Sequence, residues 1–439
     1  MQDVIPYKRL KDALPHLVDP ETGIISRLKE LPRQSHMPDV IYFKADGCKT
    51  NILGNDPFFP TSGGTSLDRD RALAKAVGEA VERYCASNLP VSEFIFTSFD
   101  ELEGAAMQPS RIQHYSPQQL ADPSFPLHEL RDSSTVNWVK THGTDKNEDL
   151  WVPAAYMYCP YLFDSQIGEK PFYEPISTGF ASHIGFERAA INGILEVIER
   201  DAFMFTWLAM ISHPRIIHAS LTPLHKELLR RFEVVGYKIT LIDATPDSGL
   251  CTVIGIVKGS FEGNVPFFVG ASTHPDPVFT ITKCLEELAL MERYVARLML
   301  TLKPWEELSD FSTVKGLRDH VPIWLHPEMI PNADFLTQST KEISLDEMNQ
   351  IPIEEDREGL NHLIDLVRDT GGETILFDIT SPDIESLGLK VVRSLIPEYI
   401  PLNKNYACRP LGNKRLVQKM NNLSPGISGG LNPFPHPFA

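Results

Sequence analysis

The sequence is 439 residues long and carries a formal net charge of −17 at neutral pH. This length suits either one large domain with layered additions or two to three smaller units. The acidic balance is not interrupted by any run of Lys or Arg, which argues against a protein that binds the phosphate backbone of nucleic acids. Hydrophobic residues make up 42% of the chain, enough to bury a core.

Cysteine usage and the N-terminal segment bear on the compartment. The 6 cysteines are scattered and form no Cys-x-x-Cys pair, so we predict neither a zinc site nor a disulfide framework. The N-terminal segment lacks the apolar stretch of a signal peptide, and no apolar run is long enough to span a membrane. We therefore expect a cytoplasmic protein whose partners include neither nucleic acid nor a membrane.

The first half of the chain predicts two amphipathic helices separated by short strands. Residues 1–60 are punctuated by Pro and Gly and are interpreted as an N-terminal extension. A helix is predicted from about Asp68 to Ser87, because apolar residues recur there every three or four positions. The segments SEFIFTSF and DLWVPAAYMYCPYLF predict strands. A second helix, from about Phe186 to Ala209, is the most strongly periodic segment.

The second half predicts three strands, a helix and a final strand–helix–strand unit. The strands are YKITLIDAT, CTVIGIVKG and VPFFVGAST, and the helix is ITKCLEELALMERYVARLMLTL. Residues 303–355 are predicted to be loop and insertion. The segment GGETILFDITSPDIESLGLKVVRSLIPEYIPL predicts strand, short helix and strand. Together these elements predict an α+β, or mixed α/β, protein with helices packed on mixed, largely antiparallel sheets.

The C-terminal residues have a composition that cannot form a core of its own. We therefore predict a main domain over residues 61–425 and a proline-rich tail over residues 426–439. Taken alone, such a tail is also compatible with a frayed end or with a proline-rich ligand for another domain.

Familiar nucleotide-binding and hydrolase motifs are absent. The chain has no G-x-x-x-x-G-K-[ST] and no G-x-G-x-x-G after a predicted strand, so neither a P-loop nor a dinucleotide site is predicted. The G-x-S-x-G and H-E-x-x-H motifs are missing as well. Any nucleotide site must therefore use other residues.

The two predicted helices share the pattern Glu-x-x-Glu-Arg. Its members are Glu79, Glu82 and Arg83, and then Glu196, Glu199 and Arg200. Residues three and four apart share one helix face, so each copy places two carboxylates beside an arginine. If the two helices face each other, four carboxylates converge and repel unless a cation bridges them. Mg²⁺ is the oxygen-preferring ion that carboxylates share with triphosphates, and arginine suits phosphate oxygens.

Two further observations bear on this pattern. The third predicted helix adds Glu286 and Glu287, and the register of the two copies suggests a pseudo-twofold arrangement around a shared site. Glu and Arg at this spacing are also common on exposed helix faces, where they form solvated ion pairs. The apolar residues that flank both copies favour the shared site over the exposed face.

Several segments resemble the YcaO superfamily, specifically its azoline-forming cyclodehydratases. GGTSLDRDRALAKAVGEAVERYCAS, STGFASHIGFERAAINGILEVIERDAF and ITKCLEELALMERY are similar to the three helices of that family's nucleotide site. The closing PFPHPFA resembles the Pro-x-Pro-x-Pro tail of azoline-forming members. The resemblance covers most of the chain from about residue 60 onward. It implies a YcaO-type fold with an extended proline-rich C-terminal tail that enters the active site.

The resemblance also implies a set of functional residues and two cofactors, ATP and Mg²⁺. The implied metal ligands are Glu79, Glu82, Glu196 and Glu199, and the nucleotide site is completed by Arg83, Asn192, Arg200 and Glu287. Pro433, Pro435 and Pro437 would fix an extended tail conformation. The carboxylate of Ala439 would then act as a catalytic base or proton shuttle.

The implied reaction is the ATP-dependent cyclodehydration of a ribosomal precursor peptide at Cys, Ser or Thr. Because the chain begins close to the fold, a separate leader-binding partner protein of the E1-like or winged-helix type is expected to recognise the peptide. A flavin-dependent dehydrogenase in the same complex would oxidise azolines to azoles. A homodimer is compatible with the sequence.

This chain departs from the family pattern at several positions. Ala76 stands in place of Ser, Leu290 and Met291 in place of Gln, Glu398 in place of Gly, and Ala439 in place of a final Pro. These departures leave two alternatives open: a non-catalytic YcaO-like scaffold subunit, or a YcaO enzyme that forms thioamides or amidines. The retained carboxylates favour nucleotide binding, and the tail favours azoline formation.

Overall fold

The computed structural model describes residues 4–48, 61–141, 149–302, 305, 309–423 and 430–438. The helices are α1 (Tyr7–Leu17), α2 (Arg69–Ser87), α3 (Pro117–Ala121), α4 (Ala154–Met157), α5 (Phe186–Leu208), α6 (Pro223–Val234), α7 (Pro277–Met299), α8 (Leu317–Trp324), α9 (Arg357–Asp369), α10 (Pro382–Ser386) and α11 (Lys414–Asn422). The strands are β1 (Ile25–Leu31), β2 (Ile41–Gly47), β3 (Thr61–Ser66), β4 (Ile95–Thr97), β5 (Val136–Thr141), β6 (Leu150–Pro153), β7 (Phe180–His183), β8 (Arg215–Ile216), β9 (Tyr237–Asp243), β10 (Thr252–Gly259), β11 (Phe267–Thr273), β12 (Glu342–Ile343), β13 (Ile375–Asp378) and β14 (Lys390–Leu395).

These strands form small sheets whose pairings are almost all antiparallel. The strand orders are β1-β2-β3, β11-β10-β9-β8-β12, β13-β14-β7 and β4-β5-β6. Within the described ranges, the parallel pair is β8 with β12. The predicted fold class, helices packed on mixed and largely antiparallel sheets, is therefore confirmed. None of the helices described is both long and apolar enough to cross a membrane.

The strongly periodic segments fold as predicted. The helix expected from Asp68 to Ser87 is α2, the helix expected from Phe186 to Ala209 is α5, and the third predicted helix is α7. The three predicted strands are β9, β10 and β11, and the final strand–helix–strand unit is β13, α10 and β14. Long amphipathic patterns are thus sufficient to locate these elements.

Other segments differ from the prediction. In DLWVPAAYMYCPYLF only β6 is a strand, and the apolar residues that follow form the short buried helix α4. A short, fully buried run has no periodicity that separates helix from strand. Residues 303–355, predicted as loop, contain α8 and β12. Strand β2 pairs with both β1 and β3, so the boundary predicted at residue 60 falls within one sheet, and the division into domains stays a prediction.

Three strand–helix units close a cycle at the centre of the fold. Helix α2 packs on β3 and also on β7, α5 packs on β7 and also on β11, and α7 packs on β11 and also on β3. Each helix therefore contacts the strand before it and the strand of the next unit. The approach is close at Gly64 in β3, where an added Cβ would lie 2.0 Å from the carbonyl oxygen of Ala72. Only glycine permits this contact.

Glu292 on α7 is a buried carboxyl group outside this central contact region. The Tyr237 hydroxyl donates to its Oε1 at 3.0 Å, and the residue is 0% exposed. Burial raises the pKa of Glu292 to about 7, although the Tyr237 hydrogen bond opposes the shift. The folded protein thus holds a proton here over a pH range in which the unfolded chain is ionised.

We predict that Glu292→Gln changes how stability depends on pH. The stabilising proton is fully present below the unfolded pKa of 4.5 and is lost as pH rises through about 7, so wild-type stability falls over this window. Glutamine carries no charge, so its contribution does not change with pH. From pH 5 to pH 8, the free energy of unfolding of the variant should therefore rise by about 2 kcal/mol relative to that of the wild type. Urea unfolding at both pH values measures the difference. Glu262→Gln, at an exposed loop residue, is the control, and parallel curves for wild type and Glu292→Gln would contradict the prediction.

Candidate active site

The first Glu-x-x-Glu-Arg copy ties α2 to two strands. Glu79 Oε2 accepts a hydrogen bond from the N–H of Gly63 in β3 at 2.9 Å, and Glu79 Oε1 pairs with Arg83 at 2.5 Å. Glu82 reaches across to the next unit, where its Oε1 accepts from the N–H of Ser182 in β7 at 2.9 Å. The two carboxylates therefore join the first unit to the second.

The second copy repeats these contacts one unit further on. Glu196 Oε2 accepts from the N–H of Gly179, just before β7, at 2.9 Å, and Glu196 Oε1 lies 3.3 Å from Arg200. Glu199 Oε2 accepts from the N–H of Thr273 at the end of β11 at 3.2 Å. Arg200 also lies 3.5 Å from Glu199. In both copies the first carboxylate bonds its own strand and the second bonds the next strand.

The third helix closes the cycle with a different set of partners. Buried Glu286 on α7 accepts from Ser66 Oγ of β3 at 2.6 Å and pairs with Arg71 at 3.1 Å and Lys75 at 2.9 Å. Lys75 also pairs with Glu287 at 3.1 Å. The two copies expected to form a pseudo-twofold pair therefore belong to a cycle of three units.

The pKa of Glu82 shows that carboxylates from α2 and α5 face one space. The pKa of this carboxyl is raised to about 8, chiefly by removal from water and also by the negative charges of Glu79 and Glu196. The hydrogen bond from Ser182 opposes the shift but does not reverse it. Glu82 and Glu196 belong to different helices, so their mutual repulsion means that the helix faces converge.

Glu199 extends the same space to α7. It is 3% exposed, and burial raises its pKa, with the charges of Glu196 and Glu287 adding to the effect. The cations Arg200 and Lys283 oppose this shift. Carboxylates from three helices thus lie within electrostatic range of one another, beside two cationic side chains.

The donor set fits a phosphate group with Mg²⁺. Nε and Nη1 of Arg200 are buried and have no hydrogen-bond partner within the part of the chain that the structure describes. Such guanidinium donors suit phosphate oxygens, and buried carboxylates that repel each other suit a hard divalent cation. Across the described ranges, no three His, Cys, Asp or Glu side chains already form a metal-binding group. The carboxylates instead accept hydrogen bonds from backbone N–H groups and form ion pairs with arginine side chains.

Three further positions from the sequence analysis lie on these helices: Asn192, which was predicted for the nucleotide site, and Ala76 and Leu290, which depart from the family pattern. Asn192 is half-buried on α5, one turn before Glu196. Ala76, which replaces a serine, is fully buried. The side chain of Leu290, which replaces a glutamine, lies over Gly63, because an added Cβ on that glycine would be 2.7 Å from Leu290 Cδ1. Apolar packing therefore occupies these two positions.

Glu398, the charged residue in place of glycine, is held by an ion pair. Arg111 Nη2 lies 2.7 Å from Glu398 Oε1, and the N–H of Glu373 donates to Glu398 Oε2 at 3.1 Å. Both carboxylate oxygens have partners, so the departure is compensated locally.

The proline-rich tail is buried where the structure describes it. Pro433 is exposed, but Pro435 and Pro437 are buried. The ring of Phe438 lies over the guanidinium of Arg200, with the ring centroid 4.1 Å from Cζ, and packs against Phe203 at 4.8 Å. The tail therefore reaches the arginine of the second copy. Ala439, the predicted catalytic carboxylate, lies outside the described residues.

Sequence reasoning missed two lysines of the site. Lys75 bridges α2 to the carboxylates of α7, and Lys283 acts on the pKa of Glu199. A signal was available, because Lys75 precedes Glu79 by four residues and Lys283 precedes Glu287 by four. Ion pairs at this spacing are so common on exposed helices that it carries little information by itself.

We predict that Glu199→Gln abolishes the binding of Mg²⁺ and ATP without unfolding the protein. Glutamine keeps an oxygen that can accept from the N–H of Thr273, and it removes a charge that burial and Glu196 disfavour, so the protein should stay folded. Calorimetric titration of Mg²⁺–ATP into both proteins measures the change. Glu292→Gln is the matched control, a buried glutamate on α7 outside this cluster, and should bind as the wild type does. Unchanged affinity in Glu199→Gln would contradict the assignment.

Known structures share the fold of this chain. A heterocyclase in complex with substrate and cofactor superimposes on 99% of this chain with a TM-score of 0.78 at 19% identity, and this chain spans 57% of its length. YcaO from Methanopyrus kandleri, bound with AMPPCP and Mg²⁺, has a TM-score of 0.66 at 18% identity, over 90% of this chain and 91% of that one. The E. coli microcin synthetase McbBCD complex with pro-MccB17 bound gives 0.65 at 13% identity, over 95% and 98%.

Sequence relatives and a family model identify the family. The chain is 24% identical over 341 residues to an uncharacterised protein of Methanothermobacter thermautotrophicus, covering 76% of this chain and 80% of the relative. It is 23% identical over 241 residues to an uncharacterised protein in the tfuA 3′ region of Rhizobium leguminosarum bv. trifolii, covering 52% and 53%. The model described as YcaO cyclodehydratase, ATP- and Mg²⁺-binding, matches residues 63–400. The chain therefore belongs to the YcaO cyclodehydratase family.

Proposed function

We propose that this protein is an ATP- and Mg²⁺-dependent peptide cyclodehydratase. Its substrates are Cys, Ser or Thr residues of a ribosomal precursor peptide, which become thiazolines or oxazolines. The observation that carries the proposal is the convergence of carboxylates from α2, α5 and α7 beside the unpartnered guanidinium donors of Arg200. Membership of an ATP- and Mg²⁺-binding family supports it.

The reaction needs a nucleotide because an amide oxygen is a poor leaving group. The side-chain sulfur or oxygen of the substrate attacks the preceding carbonyl carbon and loses its proton, which leaves an oxyanion. That oxygen attacks the γ-phosphorus of ATP, and ADP leaves. Loss of the amide proton and cleavage of the carbon–oxygen bond then release phosphate and form the ring C=N bond. The peptide loses one water for each ring.

The proposed residue roles follow from the contacts of each side chain. Glu79, Glu82, Glu196 and Glu199 would hold Mg²⁺, which supplies charge neutralisation for phosphoryl transfer when bound. Arg200 would bind phosphate oxygens through Nε and Nη1. Arg83 pairs with Glu79 and so fixes the orientation of that carboxylate. Asn192 and Glu287 would complete the nucleotide site.

The tail is proposed to supply the proton-transfer group. Pro433, Pro435 and Pro437 restrict the backbone to an extended conformation, which lowers the entropy cost of holding the tail in place. The position of Phe438 over Arg200 supports a terminal carboxylate close to the phosphates and the peptide. On this proposal the carboxylate of Ala439 takes the amide proton.

We further propose that the enzyme acts in a cytoplasmic complex. A separate leader-binding partner, E1-like or of the winged-helix type, would present the precursor peptide, and a flavin-dependent dehydrogenase would act on the azoline. The similarity to a chain of the McbBCD complex, which has pro-MccB17 bound, supports an arrangement with several subunits. A homodimer remains compatible with this proposal.

The function is tested with a candidate precursor peptide and the leader-binding partner subunit. We expect ATP consumption that depends on the peptide and mass loss of one water per ring, with both abolished by Glu82→Gln. Matched control Glu292→Gln should retain both. Binding of ATP without consumption in the reconstituted complex would point to a scaffold, and exchange of oxygen for sulfur in the product would point to thioamide formation.

Deletion of residues 435–439 should slow cyclisation more than it weakens nucleotide binding. The deletion removes the proposed proton acceptor but leaves the carboxylates of α2 and α5 in place. Single-turnover cyclisation rates and the calorimetric affinity for Mg²⁺–ATP separate the two effects. An unchanged cyclisation rate would show that the tail takes no part in the reaction.

A further inference from the structure

The tail is held through its main-chain carbonyls. Five consecutive carbonyl groups each accept a hydrogen bond from a different side chain: Asn432 from Arg409 at 3.1 Å, Pro433 from Tyr406 at 2.6 Å, Phe434 from Trp207 at 3.1 Å, Pro435 from Trp324 at 3.2 Å and His436 from His320 at 2.9 Å. Prolines have no N–H, so carbonyls are the main hydrogen-bonding groups that such a segment can offer. We call the five donor side chains, of Trp207, His320, Trp324, Tyr406 and Arg409, the carbonyl ladder.

His320 differs from the other donors of the carbonyl ladder because its ring titrates. Its Nδ1 lies 2.9 Å from the carbonyl oxygen of His436, and its Nε2 lies 2.8 Å from the carbonyl oxygen of Lys404. Both partners are acceptors. A neutral imidazole has one N–H, so it can donate to only one of them, whereas an imidazolium donates to both.

We propose that His320 is a positioning residue, which seats the tail when its ring carries both protons. Without the tail, the ring keeps one acceptor, Lys404 O, and a neutral imidazole is sufficient. Seating the tail adds the second acceptor, His436 O. Seating therefore takes up a proton, and by linkage the tail is held more tightly as pH falls.

Burial opposes protonation of His320, and its hydrogen bonds favour it. The ring is 0% exposed, and burial holds the pKa of His320 below its usual range, although the hydrogen bonds to the two carbonyls oppose this shift. Asp319, on the same helix, adds a negative charge that also favours the imidazolium. Unseating the tail removes the second acceptor and also part of the burial. Loss of the acceptor is taken as the larger change, because a neutral ring under the seated tail would place a nitrogen lone pair against a carbonyl oxygen.

The surroundings favour His320 over His436 as the ring that takes up a proton. The ring of His436 stacks on His320 at 4.1 Å, and burial with the charges of His320 and Arg200 holds the pKa of His436 well below its usual range. His436 therefore stays neutral and donates through Nε2 to the carbonyl of Asn403 at 2.8 Å.

On the loop side, Lys404 and Glu174 are held by other partners. Lys404 Nζ donates to the carbonyl of Pro175 at 2.6 Å, and Glu174 accepts from the N–H groups of Lys404 and Asn405. Burial raises the pKa of Glu174 to about 7, so this group also titrates near neutral pH. A substitution at His320 is therefore needed to assign any pH dependence of the tail.

Hydrogen exchange at the indole N–H of Trp324 reports on whether the tail is seated. The indole N–H of Trp324 is protected from hydrogen exchange while Pro435 O accepts its bond. Trp138, also buried, donates its indole N–H to Thr97 O at 3.0 Å, away from the tail. Both exchange rates are measured in one NMR sample. The ratio of the Trp324 rate to the Trp138 rate therefore cancels the ordinary pH dependence of exchange.

We expect the Trp324 to Trp138 exchange ratio in the wild-type protein to rise with pH, by up to about tenfold per unit, the limit for one linked proton. In His320→Gln, which cannot take up the proton, the ratio should be larger at low pH and independent of pH. His225→Gln is the matched control, since His225 is equally buried and bonds Val278 O on another helix.

Two results would overturn the proposal: a constant ratio in the wild type, or the wild-type slope retained in His320→Gln. If His320→Gln does not fold, His320→Asn provides the second comparison, and the wild-type profile still tests the linkage. This assay contains neither nucleotide nor peptide, so its outcome is independent of the proposed function. The consequence for catalysis does rest on that function: His320→Gln should then lower kcat for cyclisation, most at low pH, while ATP affinity stays unchanged.

Discussion

Repulsion between buried carboxylates is the constraint on which the centre of this protein depends. Glu196 lies within electrostatic range of both Glu82 and Glu199, on helices packed into the core. The fold offsets this cost with backbone N–H groups donated by β3, β7 and β11 and with ion pairs to arginine and lysine. The compensation is incomplete, because the pKa values of Glu82 and Glu199 remain raised. On the proposed function, Mg²⁺ held by these carboxylates would supply the missing positive charge.

The cyclic arrangement explains why the charges meet although they are far apart in sequence. Each helix contacts its own strand and the next. On α2 and α5 the first acidic residue bonds locally and the second bonds across to a neighbouring unit, whereas on α7 Glu286 bonds across to β3. The same acidic pairs that create the repulsion therefore also hold the units together. The tail approaches this centre from outside, with Phe438 over Arg200 and its carbonyls bound by the carbonyl ladder. The proposed metal ligands and the tail thus meet at one arginine, Arg200.

The sequence alone predicted the helices and the acidic pairs because both are local patterns. Helices α2, α5 and α7 are long and periodic. The Glu-x-x-Glu-Arg copies on α2 and α5 follow directly from the residue spacing. Closure of the cycle by α7 was not predictable, because it depends on contacts such as Ser66 to Glu286 across the whole chain. The carbonyl ladder was hidden for the same reason. Its donors are spread over three separate segments, and they recognise main-chain groups that leave no trace in the sequence of the tail. Helix α4 was missed because a short buried run carries no period.

The most direct test of this account is a crystal structure with Mg²⁺ and a non-hydrolysable ATP analogue. The account predicts metal ions bound by the carboxylates of Glu82, Glu196 and Glu199, with phosphate oxygens within hydrogen-bonding distance of Nε and Nη1 of Arg200. A nucleotide bound elsewhere, with these carboxylates still on their backbone N–H partners and free of metal, would contradict it.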